Sequence, residues 1–291
     1  MIIAWILYII FGFGTSVAQK NSSVVISVDS KKPTSQVYII VISVVACIFF
    51  FITSGFNLKT NLISIIYSLV FAVICILSNL VALIIYRYFD VANVAVVNNV
   101  GTIILTTIMG LIIFDEKITF SVAVKVVLMI IAVILVFLSN GKGKRFSTKN
   151  IRYLIYSLVV SSTSWLILKL YSNVDNAASN SAFCFYTNLF MLGYLSVWLS
   201  FKLKKSGEPF SIESMHFGKK ELFSAIFAVV TSNASDLVRM YMIGKMDMVV
   251  VTPIITALGL IVSAITSVIY REKLNYFSYI AIAISIFVAF A

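Results

Sequence analysis

Two ionisable residues, Asp236 and Arg239, lie within an otherwise uncharged stretch between Glu221 and Lys245. Their i to i+3 spacing places them on one face of a helix, where the two side chains can pair. In a membrane span each would cost roughly 2.5–3.5 kcal/mol on insertion scales, so such residues normally face protein or water. The pair could bind a polar solute or couple it to a proton. It could also be a structural ion pair, with Arg239 reaching the membrane interface.

Amide and hydroxyl side chains form a second group of candidates. Asn233 lies one turn before Asp236, and Asn79 occupies the position in the first half of the chain that corresponds to Asn233. Both amides could bond a polar ligand, or bond one helix to another. Asn99 and Thr102 share a helical face of the polar stretch 91–114, and we expect that face to line the interior.

Four further side chains are candidates for contact with a ligand: Tyr86, Tyr241, Trp165 and Lys169. The aromatic residues combine a flat ring with a polar group, so they could line a binding cavity or face lipid. Lys169, like Lys20, lies near the end of the first helix of its half. Either lysine could anchor at the interface or bind an anionic solute.

Several classes of chemistry have no support in the sequence. The one histidine is His216, and three cysteines each lie alone in a separate apolar stretch, so we expect no metal cluster, disulfide framework or Cys-His nucleophile. We find no Walker-type glycine-rich loop for ATP. We therefore expect no cofactor and no enzymatic activity.

The composition predicts an integral membrane protein. Of the 291 residues, 61% are hydrophobic and 11% are charged, which leaves too little polar surface for a soluble domain of this size. The apolar runs lack the alternating pattern of barrel strands, so we predict an all-α fold. We therefore interpret the net charge of +11 as basic loops that determine how the chain is oriented in the membrane. We expect no nucleic-acid partner.

We predict ten transmembrane helices. Their spans are 1–19, 36–56, 61–86, 91–114, 118–140, 151–172, 177–201, 221–244, 248–270 and 274–291. A lysine-rich segment, 141–149, divides the chain into two five-helix units, 1–145 and 146–291.

The two units share an internal repeat. Glu116 and Glu272, each followed by lysine, are 272 − 116 = 156 residues apart, and Asn79 and Asn233 are 233 − 79 = 154 residues apart. Because five is odd, the second unit must enter the membrane from the opposite side, which defines an inverted repeat. We interpret the Glu-Lys pairs as structural markers of the start of each unit's last helix, where a carboxylate is favourable.

The 5+5 arrangement, the polar fourth span, Pro253 in the ninth span and the Glu-Lys pairs resemble the drug/metabolite transporter superfamily, in particular its EamA-like ten-helix members. The resemblance implies a central substrate cavity, enclosed mainly by the first four helices of each unit. It also implies secondary transport of a small polar metabolite or drug by alternating access. The chain departs from the pattern in having only 12 glycines and no proline in the fourth span.

The membrane orientation has two alternatives. Basic residues concentrate in the loops after the odd-numbered spans, which by the positive-inside rule places both termini outside. Members of the resembled superfamily generally have both termini in the cytoplasm. We expect a multi-pass protein of the plasma membrane, either monomer or homodimer, whose partners are a small solute and the lipid bilayer, with a proton or counter-solute as an open alternative.

Two other functions remain open. A polytopic membrane enzyme would require paired catalytic groups at one depth, and only Asp236 with Arg239 comes close. A non-transporting assembly subunit would have a closed and wholly apolar core.

Overall fold

The computed structural model describes residues 2–25, 34–98, 148–206, 218–243, 248–272 and 275–290, together with positions 124, 127, 128, 130–132, 134 and 135. These residues fall into ten helical segments, and no strand occurs among them. The segments are α1 (Ile2–Val25), α2 (Thr34–Thr53), α3 (Leu62–Tyr88), α4 (described over 91–98), α5 (described at positions between 124 and 135), α6 (Thr148–Ser172), α7 (Asn180–Ser206), α8 (Lys219–Ile243), α9 (Met248–Ile269) and α10 (Tyr276–Phe290). The all-α prediction is confirmed, while most of the predicted spans 91–114 and 118–140 lies outside the described residues.

Six of these helices, α1, α2, α3, α6, α7 and α8, are long and apolar enough to cross a bilayer. The apolar parts described in α9 and α10 are shorter, Leu258–Ile269 and Tyr276–Phe287. Large apolar side chains such as Phe201 and Phe223 are exposed on the outer surface, as expected of helices that face lipid. The chain is therefore a multi-pass helical membrane protein.

The helices of the first half pack on the helices of the second half in a symmetric pattern. Helix α1 packs on α8, and α3 packs on α6. Helix α2 packs on α7, while α2 also contacts α8 and α3 also contacts α7. Exchanging α1, α2 and α3 with α6, α7 and α8 turns the α1–α8 contact into α3–α6 and the α2–α8 contact into α3–α7, and leaves the α2–α7 contact unchanged.

A cluster of aromatic rings joins α3, α6 and α7. The rings of Tyr171 and Phe183 stack with centroids 4.1 Å apart, and Phe71 lies 5.5 Å from Phe183. The Tyr171 hydroxyl shares a hydrogen bond of 3.2 Å with Ser64. These contacts hold the start of α3 against the end of α6.

Close packing of α1 on α8 requires the glycine at position 14. A Cβ atom at Gly14 would lie 2.5 Å from Cγ2 of Thr231, whose hydroxyl donates to the carbonyl of Phe227 at 2.8 Å. Because Thr231 is branched and held by this bond, we expect Gly14→Ala to destabilise the protein by about 1–3 kcal/mol. Thermal unfolding in detergent would measure the loss.

The matched control is Gly193→Ala, because a Cβ at that exposed position of α7 would meet no atom within 4 Å. It should leave the unfolding temperature nearly unchanged. Equal effects of the two substitutions would contradict the role given to Gly14.

Candidate functional site

A cavity of about 420 Å³ lies at the centre of the bundle, between helices from both halves of the chain. Small hydroxyl and amide side chains dominate its polar lining, among them Ser16, Asn79, Ser161, Asn188 and Ser232. Such a lining can hydrogen bond a solute from several directions. An apolar bundle therefore contains a polar interior of a size common for small-molecule sites, roughly 300–1,000 Å³.

An ion pair on α8 provides the charge of this cavity. Nη2 of Arg239 lies 2.8 Å from Oδ1 of Asp236, and the two side chains are 23% and 43% exposed. The guanidinium carbon lies 5.1 Å from the ring centroid of Trp165 on α6, a cation–π distance. Among the described residues of the lining, this pair supplies one negative and one positive charge, so their formal sum is zero.

Two hydrogen-bond donors beside the ion pair lack an acceptor among the described residues. They are Nε of Arg239 and Nδ2 of Asn233, and both atoms are buried. A buried donor without a partner costs about 1–3 kcal/mol, so native structures rarely retain one without a reason. An oxygen atom brought by a solute, after a small side-chain movement, would satisfy them.

Six of the candidates from the sequence are brought together in the lining: Asn79, Tyr86, Trp165, Asn233, Asp236 and Arg239. The amide of Asn79 donates to the carbonyl of Cys75 at 2.9 Å, within its own helix. Asn99 and Thr102 lie outside the described residues. Their neighbour Asn98 lines the cavity, where its Oδ1 accepts a 2.7 Å hydrogen bond from the hydroxyl of Ser157.

Tyr241 and Lys169 do not line the cavity. Tyr241 follows Arg239 by two residues, which rotates it by about 200° around α8, and it is 52% exposed on the outer face. Lys169 lies in the last turn of α6, one turn beyond Trp165, and it is not among the described residues that line the cavity. Helical rotation thus accounts for the position of Tyr241, although it is close in sequence to lining residues. Lys169 continues the face of Trp165 at the end of α6.

A stripe on α1 was not among the candidates from the sequence. Tyr8, Gly12, Thr15, Ser16 and Gln19 all line the cavity. Their spacing of four, three, one and three residues follows one face of a helix. This spacing of small and polar residues is the signal that could have identified α1 as a wall of the cavity.

Lys20 and Glu272 form a second ion pair, at the end of the cavity. Nζ of Lys20 lies 2.6 Å from Oε1 of Glu272, and the two side chains are only 14% and 7% exposed. The same ammonium donates to the carbonyl of Tyr86 at 3.1 Å. Lys20 is therefore not an interfacial anchor, and α1 continues past it to Val25 because its charge is neutralised inside the protein.

The other oxygen of Glu272 binds the start of α4. Oε2 accepts the backbone N–H of Val91 at 2.9 Å and the hydroxyl of Ser267 at 2.6 Å, and Ser267 Oγ accepts the N–H of Ala92. These N–H groups belong to the first turn of a helix, which has no carbonyl partners of its own. Glu272 thus caps a helix of the first half, whereas in the described part of α10 the N–H of Tyr276 is bonded by Oδ1 of Asn275.

Comparison of the chain with models of known protein families finds no match, and no curated protein matches it. The function proposed below therefore depends on the residues and geometry of the chain itself.

Proposed function

We propose that this protein is a secondary transporter of a small polar solute, with the central cavity as its binding site. The observation that carries the proposal is a polar cavity with an ion pair inside an apolar helical bundle of membrane-spanning length. A scaffold subunit would have no need for costly ionisable groups at such a place. We further propose that the chain is an EamA-like member of the drug/metabolite transporter superfamily in the plasma membrane, because its Glu-Lys pairs, Pro253 and 5+5 arrangement of apolar spans resemble that family.

The packing of the helices supports an inverted repeat of units 1–145 and 146–291. The contacts that join α1–α3 to α6–α8 map onto one another when the two sets of helices are exchanged. Lys20 bonds the carbonyl of Tyr86 near the end of α3, whereas Tyr171, two residues after Lys169, bonds Ser64 near its start. The two lysines thus lie toward opposite ends of α3, as an inverted repeat requires.

The charge of the cavity favours a solute without net charge. Asp236 and Arg239 compensate each other, and the remaining described residues of the lining are uncharged. A solute with net charge would lose its hydration without gaining an uncompensated partner. The solute would therefore be uncharged, or carry one charge of each sign.

A ligand screen tests this proposal. Purified protein in detergent would be heated with polyols, sugars, nucleosides, amino acids, amines and organic anions. A solute that binds the folded state at 100 times its Kd adds about 2.7 kcal/mol of stability, which raises the unfolding temperature. We expect stabilisation from net-neutral solutes, followed by their saturable uptake into proteoliposomes. Stabilisation by organic anions or amines alone would contradict the charge argument, and no uptake of any stabilising solute would contradict transport.

A further inference from the structure

The ion pair of α8 presents a negative and a positive group side by side to the cavity. Asn233, Asp236 and Met240 are spaced by three and four residues and all line the cavity, so this face of α8 points inward. Oδ1 of Asp236 lies 2.8 Å from Nη2 of Arg239. A solute in the cavity therefore meets an acceptor and a donor within one turn of a helix.

The contact between the two side chains uses only part of the guanidinium. Nε and Nη2 lie on the same edge of an arginine side chain, and a carboxylate with both oxygens on that edge makes two parallel hydrogen bonds. Here Nη2 contacts Asp236, whereas Nε is buried and has no acceptor among the described residues. One turn earlier, Nδ2 of Asn233 is a second such donor. The edge of Arg239 is therefore an incompletely occupied carboxylate site.

Asp236 is the member of the pair that is free to move. Its side chain is 43% exposed, compared with 23% for Arg239. The guanidinium of Arg239 also lies over the ring of Trp165, at 5.1 Å from the centroid, and this contact does not depend on Asp236. A small rotation of the carboxylate would uncover the edge of an arginine that stays in place.

We propose that the cavity binds a zwitterion whose carboxylate and ammonium are attached to one carbon atom, as in a 2-amino acid, by an exchange of partners within the Asp236–Arg239 pair. The inference rests on the proposed transport function and names the class of its solute. The solute carboxylate binds the Nε and Nη2 edge of Arg239, and the solute ammonium binds Asp236. One ion pair within the protein becomes two between protein and solute, so no charge is left unpaired.

The charges of the solute must be close together because those of the protein are in contact. In a 2-amino acid the nitrogen lies about 2.5 Å from the carboxyl carbon. A zwitterion with a longer spacer would reach one member of the pair and leave the other without a partner. An uncharged polyol could bond both members, but it could not replace the ion pair that it separates.

Matched solutes test the proposal on the wild-type protein. Kd values would be obtained from thermal unfolding in detergent at increasing solute concentration. The first comparison is between 2-aminobutanoate and 4-aminobutanoate, which are isomers of equal charge and differ in the separation of the charges. The second is between the most stabilising of the common amino acids, its methyl ester, which has no carboxylate, and its N-acetyl derivative, which has no ammonium. We expect 4-aminobutanoate and both derivatives to bind about tenfold or more weakly, because each loses a charge-assisted contact.

The outcomes separate this inference from the transport proposal. Equal affinity for the two isomers, or for the amino acid and either derivative, would overturn the inference. Stabilisation by polyols, sugars or nucleosides with none by amino acids would also overturn it, and uptake of those solutes would leave transport intact. Amino acids that bind with the expected preferences but are not taken up into proteoliposomes would support this site and contradict transport.

Asp236→Asn tests the partner of the ammonium. Asparagine has nearly the same size, but Arg239 then becomes an uncompensated positive charge among the described residues of the lining. We expect the preference for the amino acid over its N-acetyl derivative to fall about tenfold or more. Both affinities are measured on the same variant, so a loss of stability does not enter their ratio.

Asp175→Asn is the control, because it makes the same chemical change in the exposed turn after α6, at a residue that is not among the described residues of the lining. It should keep the wild-type preference. An unchanged preference in folded Asp236→Asn would show that Asp236 does not bind the ammonium, and would overturn the proposal.

Discussion

Replacing Asp236 by leucine is expected to reduce solute uptake by about 100-fold or more, which corresponds to roughly 2.7 kcal/mol. The substitution leaves the Arg239 guanidinium without its carboxylate in a cavity surrounded by apolar helices. It should also destabilise the fold, by about 1–3 kcal/mol rather than the ~3–5 kcal/mol of a fully buried pair, because Asp236 is 43% exposed. Uptake into proteoliposomes and thermal unfolding measure the two effects.

A double substitution separates a structural role from a functional one. Asp236→Leu with Arg239→Met removes both charges, so the cost of an unpaired guanidinium disappears and stability should return toward wild type. Uptake should remain lost, because neither charge is available to the solute. Recovery of both stability and uptake would identify the pair as structural only.

Filling the cavity should stop transport without disturbing the fold. Gly12 lines the cavity, and a Cβ there would meet no atom within 4 Å, so the α1 helix has room for a side chain directed inward. Gly12→Trp would place an indole in a space of about 420 Å³. We expect uptake to fall by about tenfold or more, with stabilisation by the solute lost as well.

Gly193→Trp is the control for this effect. Gly193 lies on the exposed face of α7, outside the lining, and a Cβ there also meets no atom within 4 Å. It should retain wild-type uptake. Similar losses from the two tryptophans would show that the substitution acts through expression or folding, and not through the cavity.

The sequence predicts the helices and the charged pair on α8 because both signals are local. Apolar runs define α2, α3, α6, α7 and α8 to within a few residues, and the i to i+3 spacing of Asp236 and Arg239 survives in the structure as an ion pair. In the register of the proposed repeat, Ala82 and Ile85 occupy the equivalent turn of α3. Both line the cavity, so among the described lining residues the charged pair lies on α8 alone.

The Lys20–Glu272 ion pair was not predictable in the same way. Its partners are 272 − 20 = 252 residues apart, so no local spacing connects them. Each residue taken alone fits an interface or a helix end, and only the packing of α1 against α9 brings them together.

The hydroxyl residues of the cavity were also not predictable from the sequence, for a different reason. Thr15 and Ser164 donate to carbonyls one turn earlier in their own helices, at 2.8 Å and 2.9 Å. A hydroxyl that is satisfied in this way can face lipid, protein or a cavity at similar cost, so its residue type does not indicate its direction.

Solute uptake by wild-type protein and Gly12→Trp, reconstituted side by side in proteoliposomes under an imposed solute gradient, tests the central claim most directly. The solutes would be those that stabilise the wild-type protein in the ligand screen. We predict saturable uptake of at least one of them by the wild type and little above the protein-free background by Gly12→Trp. Equal uptake by both proteins, or none by the wild type, would contradict transport through the central cavity.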